Sequence, residues 1–267
     1  MKRIVKWIVF MLVLSLLAAC SSGEGTEGEG RGSNGKDDDK IVIGIDDAFA
    51  PMGFRDENNE IVGFDIDFAR AVGEKMGKEI VFQPIDWGSK ESELNSGRID
   101  LIWNGYTITE ERKQKVLFTK PYLENSQVIA TLKDSDIQTL DDLKGKIVGL
   151  QAQSSASIAL NESTIVNDLK QVTEFKDNVL ALSDLKNGRV DAVVIDEVAI
   201  NYYMTKEPDT FKTLDESLSP EQYAVGVKKG NEELLNEVQK AIDEVIADGT
   251  AAEISKKWFG EDKVLKN

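Results

Sequence analysis

The sequence predicts an α/β protein made of two similarly built lobes. Short apolar runs at 41–45, 80–85 and 99–103 alternate with segments of helical periodicity, the pattern of a parallel sheet carrying helices. Leu94-Asn95-Ser96-Gly97-Arg98-Ile99-Asp100 is echoed by Leu185-Lys186-Asn187-Gly188-Arg189-Val190-Asp191, each running helix, glycine, basic residue, strand, as an internal repeat does. Two extended runs, 126–132 and 222–227, flank the second half and suit strand-like crossings that act as hinges.

Each element has its local reason. Ile41 to Ile45 is a strand, Asp46 to Met52 leaves it as a loop, and Asp56 to Glu60 is a hairpin-like turn rich in Asp and Asn. Phe64, Phe68, Val72 and Met76 recur at helical spacing, and Gly77 suits the left-handed cap. A strand over Ile80–Ile85, a short helix over Ser89–Asn95 and a strand over Ile99–Trp103 follow. In the second half Lys146–Leu150 is a strand leading into Gln151–Ala156, and Ala192–Ile195 is a strand ending at Asp196. Leu234, Val238, Ala241, Ile242 and Val245 form one helix face closed by Gly249; Ile254, Trp258 and Phe259 dock the last helix. Lobe 1 is expected over 41–126 and 223–260, lobe 2 over 127–222 including the hinge strands, with 261–267 frayed.

The N-terminus points outward. Lys2, Arg3 and Lys6 precede an apolar run from Trp7 to Leu17, and Leu17-Ala18-Ala19-Cys20 closes it. Residues 1–19 have the plan of a secretory signal and are too short for an ordinary transmembrane helix. An ordinary signal peptide with an incidental cysteine is the other reading of the four closing residues. Residues 20–40, with six glycines and no aliphatic or aromatic side chain after Cys20, read as a disordered tether.

Composition excludes several function classes. The 267-residue chain has 32 basic and 48 acidic residues and a formal net charge of −16. Setting aside Lys2, Arg3 and Lys6 makes the mature chain more acidic still, a poor partner for nucleic acid. With no histidine and a single cysteine, Ser-His, Cys-His and His-metal chemistry are excluded. No calcium-loop spacing occurs. No catalytic residue, metal or cofactor is expected, and the body is expected to be a monomer.

Candidate binding residues lie at strand ends, where open α/β sheets take their ligands. Thr109-Glu110-Glu111 reads as a helix start with a hydroxyl cap and acids in the first turn. Arg112 in that turn opposes the helix dipole, a misfit that a bound anion offsets. Backbone N–H groups and an arginine fork suit a carboxylate; a solvated surface arginine is the plainer reading. Asp46, Phe49, Asn104, Ser154, Ser155 and Asp196 stand at the other strand ends. A cleft between lobes then offers Arg112 and a helix start to a carboxylate, Asp196 to an ammonium, and Phe49, Trp87 and Trp103 to a side chain. These suit a free α-amino acid. The plainer alternatives are that Asp196 caps a helix, Ser154-Ser155 only starts one, and both tryptophans are core. If Asp46 lies in the cleft, an apolar ligand side chain leaves it unpaired and an acidic one repels it. Alanine, leucine and glutamate are therefore expected to be poor ligands. Cystine and amino acids with N–H-bearing side chains are expected to be good ones.

The chain resembles a known family at several places: Gly63-Phe64-Asp65-Ile66-Asp67, Ile108-Thr109-Glu110-Glu111-Arg112, Asp141 with 143–149, Asp248-Gly249-Thr250 and Lys257-Trp258-Phe259. Together, over 41–260, they look like the polar amino acid group of solute-binding proteins that feed ATP-binding cassette (ABC) importers. Leu17 to Cys20 resembles a lipobox. The resemblance implies a periplasmic-binding-protein-like fold of type II, two α/β lobes on two hinge strands closing on the ligand. It implies a permease and its ATPase as partners and a lipid anchor at Cys20 on the outer side of the cytoplasmic membrane. By position, Arg112 resembles the arginine that grips the α-carboxylate, and Thr107 and Ser155 its partners. Asp196 resembles the acid that holds the α-ammonium, helped by the Gly105 carbonyl, while Asp46 and Phe49 match side-chain positions. The chain departs from many relatives at Trp103-Asn104-Gly105-Tyr106 and at Ser154-Ser155-Ala156. The first looks most like versions described for cystine or other polar amino acids. A same-fold dehydratase of arogenate or prephenate type and a ligand-sensing module are the alternatives.

Overall fold

The computed structural model describes residues 39–266; the signal, Cys20 and nearly all of the expected tether lie outside the described residues. In chain order the first elements are β1 (Lys40–Ile45), β2 (Ala48–Phe49), β3 (Gly53–Arg55), β4 (Ile61–Val62), α1 (Phe64–Met76), β5 (Glu79–Pro84), α2 (Lys90–Ser96) and β6 (Leu101–Ile102). Then come α3 (Glu110–Lys113), β7 (Val116–Phe118), β8 (Leu123–Leu132), β9 (Ile147–Gln151), α4 (Ser155–Glu162), β10 (Gln171–Phe175), α5 (Asn178–Lys186) and β11 (Ala192–Asp196). The chain ends with α6 (Glu197–Lys206), β12 (Phe211–Tyr223), β13 (Gly226–Lys228), α7 (Glu232–Ala247) and α8 (Thr250–Phe259).

Two five-stranded sheets share one plan, β5-β1-β6-β13-β7 and β10-β9-β11-β8-β12. In each, three neighbouring strands are parallel, the fourth runs against them, and the fifth pairs antiparallel with the fourth. The expected parallel sheet is therefore mixed, because β8 and β12 are the long crossing strands and must pair antiparallel to return. A small hairpin sheet, β2-β3-β4, sits after β1, with Asn59 N–H closing its turn on the Asp56 carbonyl.

The internal repeat has a physical basis. Gly97 and Gly188 both adopt left-handed φ, 76° and 69°, which ends a helix without a Cβ clash. The arginine after each reaches back five residues, Arg98 to Glu93 and Arg189 to Asp184. The aspartate two further on then ties the new strand to the neighbouring parallel strand. Asp100 Oδ2 accepts from Val42 N–H at 2.9 Å, and Asp191 Oδ2 from Ile147 N–H at 2.7 Å.

The helices follow expectation: α1 ends at Gly77 in left-handed geometry, and α7 buries Val238, Ala241, Ile242 and Val245. α8 docks through Trp258 Nε1–H to Asp67, 2.8 Å, and through Phe259, whose ring lies 4.9 Å from that of Phe64. Two boundaries differ. Lys40 is not tether but the first residue of β1, in register with Glu79. Residues after Gly260 are not frayed: Val264 is buried, bridges Leu123, and is followed by a Leu265 N–H bond to the Tyr122 carbonyl. One apolar side chain with two backbone partners offsets the ordering of so short a tail.

Candidate functional site

The carboxyl ends of β1, β6, β9 and β11 converge on one narrow cavity, lined by Asp46, Phe49, Trp87, Asn104, Gly105, Arg112, Gln151, Ser154, Ser155 and Asp196. Nine of these ten were expected from the sequence; Gln151 was not. Among the described residues no cluster of acids or cysteine suits a metal ion, and no helix is long and apolar enough to cross a membrane.

Arg112 is 3% exposed. Its guanidinium lies 4.6 Å over the Tyr106 ring and donates from Nη1 to the Thr107 carbonyl at 3.0 Å. The nearest acid, Glu91, is 4.0 Å away and is engaged by Tyr106 O–H at 3.0 Å. The planar fork thus keeps donors for the cavity while stacking fixes its orientation. Thr109 caps the helix, its side chain accepting from Arg112 N–H at 3.1 Å. However, α3 has only four residues, so the expected role of its helix start shrinks. A macrodipole needs more aligned peptides, and the charge facing the cavity is that of the guanidinium itself.

Asp196 sits at the N-cap position of α6 but makes no capping bond. Its Oδ1 accepts from Tyr223 O–H at 2.5 Å and from Asn125 Nδ2 at 2.9 Å. Burial, then the neighbouring charge of Glu221, pushes its carboxyl well above the usual range. Ser154 does cap α4, accepting from Ser157 N–H, and also lines the cavity. Thr107 stands behind the lining and donates from Oγ1 to Ser155 Oγ at 3.1 Å.

Gly105 has φ +55°, and a Cβ there would come within 2.5 Å of Phe49. Its N–H donates at 2.7 Å to Asp65, which also accepts from Tyr122 O–H at 3.0 Å. Asp65 is fully buried; desolvation lifts its carboxyl to about 7, against the pull of the Gly105 N–H and the Tyr122 hydroxyl. This acid holds the Asn104–Gly105 loop in place from beneath. The sequence marked Asp65 only as part of the family pattern, since its role depends on a loop 40 residues away.

Trp103 is corrected. It does not wall the cavity but packs into the core against Phe68 at 5.4 Å and Tyr122 at 6.1 Å. Period-2 alternation explains this: Leu101 and Trp103 share the face that packs with α1, and Ile102 takes the other. Trp87 does line the cavity, edge-on to Tyr106 at 6.0 Å.

Asp46 also differs in its surroundings. Oδ1 accepts from Ala48 N–H at 3.0 Å, capping the loop, and Oδ2 accepts from Gln151 Nε2 at 2.6 Å. Burial raises its carboxyl to about 6 against these two bonds. With Gln151 as partner, Asp46 is not left bare by an apolar ligand side chain, so that ground for excluding alanine and leucine falls. Gln151 stands at the end of β9, and the strand-end rule could have flagged it. Asn125, Gln127, Glu221 and Tyr223 on the crossing strands carried no such signal, because they act sideways from mid-strand.

The comparisons place this geometry. The model of the bacterial extracellular solute-binding proteins, family 3, matches residues 41–261. The L-cystine-binding protein TcyJ of Escherichia coli (strain K12) is 33% identical over 224 residues, 83% of each chain. The arginine-binding extracellular protein ArtP of Bacillus subtilis (strain 168) is 32% identical over 265 residues, covering 97% of this chain and 99% of that one. An ABC uptake transporter substrate binding protein from Streptococcus pneumoniae, solved with bound histidine, superposes with a TM-score of 0.83 at 42% identity, over 85% of this chain and 95% of that one. The fold is the two-lobed type II arrangement, and the family is one of substrate-binding transport proteins rather than enzymes. The chain belongs to the bacterial extracellular solute-binding proteins, family 3.

Proposed function

We propose that this protein is an extracytoplasmic receptor that closes on one free polar amino acid and delivers it to an ABC importer. One observation carries the reading: the buried Arg112 and the buried Asp196, from opposite halves of the molecule, line the same narrow cavity. A cation and an acid facing one small space match the carboxylate and ammonium of an α-amino acid. The relatives named for cystine and arginine and the neighbour holding histidine support the class.

Arg112 takes the α-carboxylate, with Thr107 and Ser155 beside it. Asp196 and the Gly105 carbonyl take the α-ammonium. Phe49 and Trp87 supply flat apolar walls, and Asn104, Asp46 and Gln151 meet the side chain. Asp46 retains acceptor capacity beyond Gln151, so cystine or a side chain with N–H donors fits best and glutamate fits worst. The test is a thermal-shift screen of the common amino acids and cystine. A ligand at a hundredfold over its Kd stabilises by about 2.7 kcal/mol. No shift with any of them would sink the reading.

The same proposal makes the chain a monomer anchored by lipid at Cys20 outside the cytoplasmic membrane, in reach of its permease. It divides into lobe 1 (40–126 and 223–266) and lobe 2 (127–222). Cys20→Ala is expected to abolish labelling by a radioactive fatty acid and release the protein from membranes; labelling that persists excludes the anchor.

A further inference from the structure

We propose that Glu221 is the second acid of the amine pole. In ligand-free protein Asp196 is a carboxylic acid linked to Glu221 through the Asn125 amide, and it releases its proton when a cationic ligand nitrogen binds. The inference rests on the amino-acid reading of the cavity for its second half only.

The geometry sets the two acids on either side of one wall. Asp196 ends β11 and faces the ligand cavity with Arg112 and Asp46. Glu221 lies on β12 and faces a separate outer groove with Lys113, Glu124, Glu197 and Lys263. A single amide joins them: Asn125 Nδ2 donates to Asp196 Oδ1 at 2.9 Å and to Glu221 Oε1 at 2.6 Å. The other donors reaching the pair are also neutral. Gln127 Nε2 bonds Glu221 at 3.0 Å, and Tyr223 O–H bonds Asp196 at 2.5 Å.

Asp196 is buried and Glu221 half-buried, and the hydrogen bonds that reach them come from neutral donors, so the pair favours keeping one proton until a cation enters the cavity. Burial and the Glu221 charge both favour the protonated form of Asp196. A ligand ammonium supplies the missing charge. It keeps its own protons, the Asp196 O–H bond breaks, and the proton leaves to water. One positive charge enters and one proton leaves. Affinity therefore strengthens by up to tenfold per pH unit on the acid side of the pair's titration and levels off above it.

Two measurements on the full chain test this. In ligand-free protein, carbon-13 NMR follows the Asp196 carboxyl, assigned by its loss in Asp196→Asn. Asp196 is expected to be protonated at neutral pH, with a midpoint at least one pH unit lower in Glu221→Gln. An Asp196 already ionised at neutral pH, or a midpoint unmoved by the substitution, overturns the proposal. Calorimetry with L-glutamine and L-arginine in buffers of different ionisation enthalpy then counts protons. Wild type is expected to release more than Glu221→Gln by at least half a proton per ligand, Asp46 contributing equally to both. Equal release overturns the proposal. If neither amino acid binds, it is the ligand assignment that fails, and the NMR midpoints alone decide the pair.

Discussion

At the scale of single residues the site is a set of buried charges, each with a structural reason. Arg112 is held by a carbonyl and an aromatic face, so its fork is set before a ligand arrives. Arg112→Lys keeps the charge and loses the fork. Calorimetry is expected to show a loss of roughly 2 kcal/mol or more for a buried charge pair; unchanged affinity would mean that Arg112 does not touch the ligand. Asp65 gives a pH signature. Its folded value, about 7, lies above the 3.8 of a free carboxyl. The folded state therefore holds this proton more tightly than the unfolded state. The stabilisation is fully present below about pH 4 and is lost as pH rises through 7, at up to about 1.4 kcal/mol per pH unit. Asp46, raised to about 6, acts in the same direction. Thermal melts from pH 4 to 8 are expected to fall more steeply for wild type than for Asp65→Asn; parallel curves would place the proton elsewhere.

At the scale of elements, legibility followed range. The glycine that ends α1, the apolar stripe of α7 and the Thr109 cap are set by residues within one or two turns, and each stands where the sequence put it. The C-terminal strap was misjudged because nothing local stabilises it: Val264 is buried by Leu123, which is distant in sequence. Ending the chain after Gly260 is expected to remove at least about 1.5 kcal/mol of burial. Melting then falls by a few degrees at roughly 2–4 °C per kcal/mol for a body of this size. An unchanged midpoint would restore the frayed reading.

At the scale of the whole molecule, and apart from the bonds made by the crossing strands themselves, three hydrogen bonds among the described residues join the two halves across the cavity. Gln151 donates to Asp46 at 2.6 Å, Thr107 to Ser155 at 3.1 Å, and the buried Lys90 from Nζ to the Gln153 carbonyl at 3.1 Å. They describe a cleft already closed on a small space. Lys90→Met keeps the bulk of the stem and removes the donor. Its ligand-free radius of gyration by X-ray scattering is expected to exceed that of wild type, and ligand is expected to restore it. Identical scattering curves would mean that Lys90 does not hold the lobes together.

The sequence by itself determined the alternation of strand and helix, the repeat that gives both sheets one plan, and nearly all the strand-end residues that line the cavity. These are readable because periodicity, caps and turn chemistry act over a few residues. Only the tertiary structure decided that Trp103 faces the core, that Asp46 is paired with Gln151, and that Asn125 bridges Asp196 and Glu221. Each of those facts depends on which face a strand presents, or on a partner from a different strand, and such contacts exist only once the sheets have assembled.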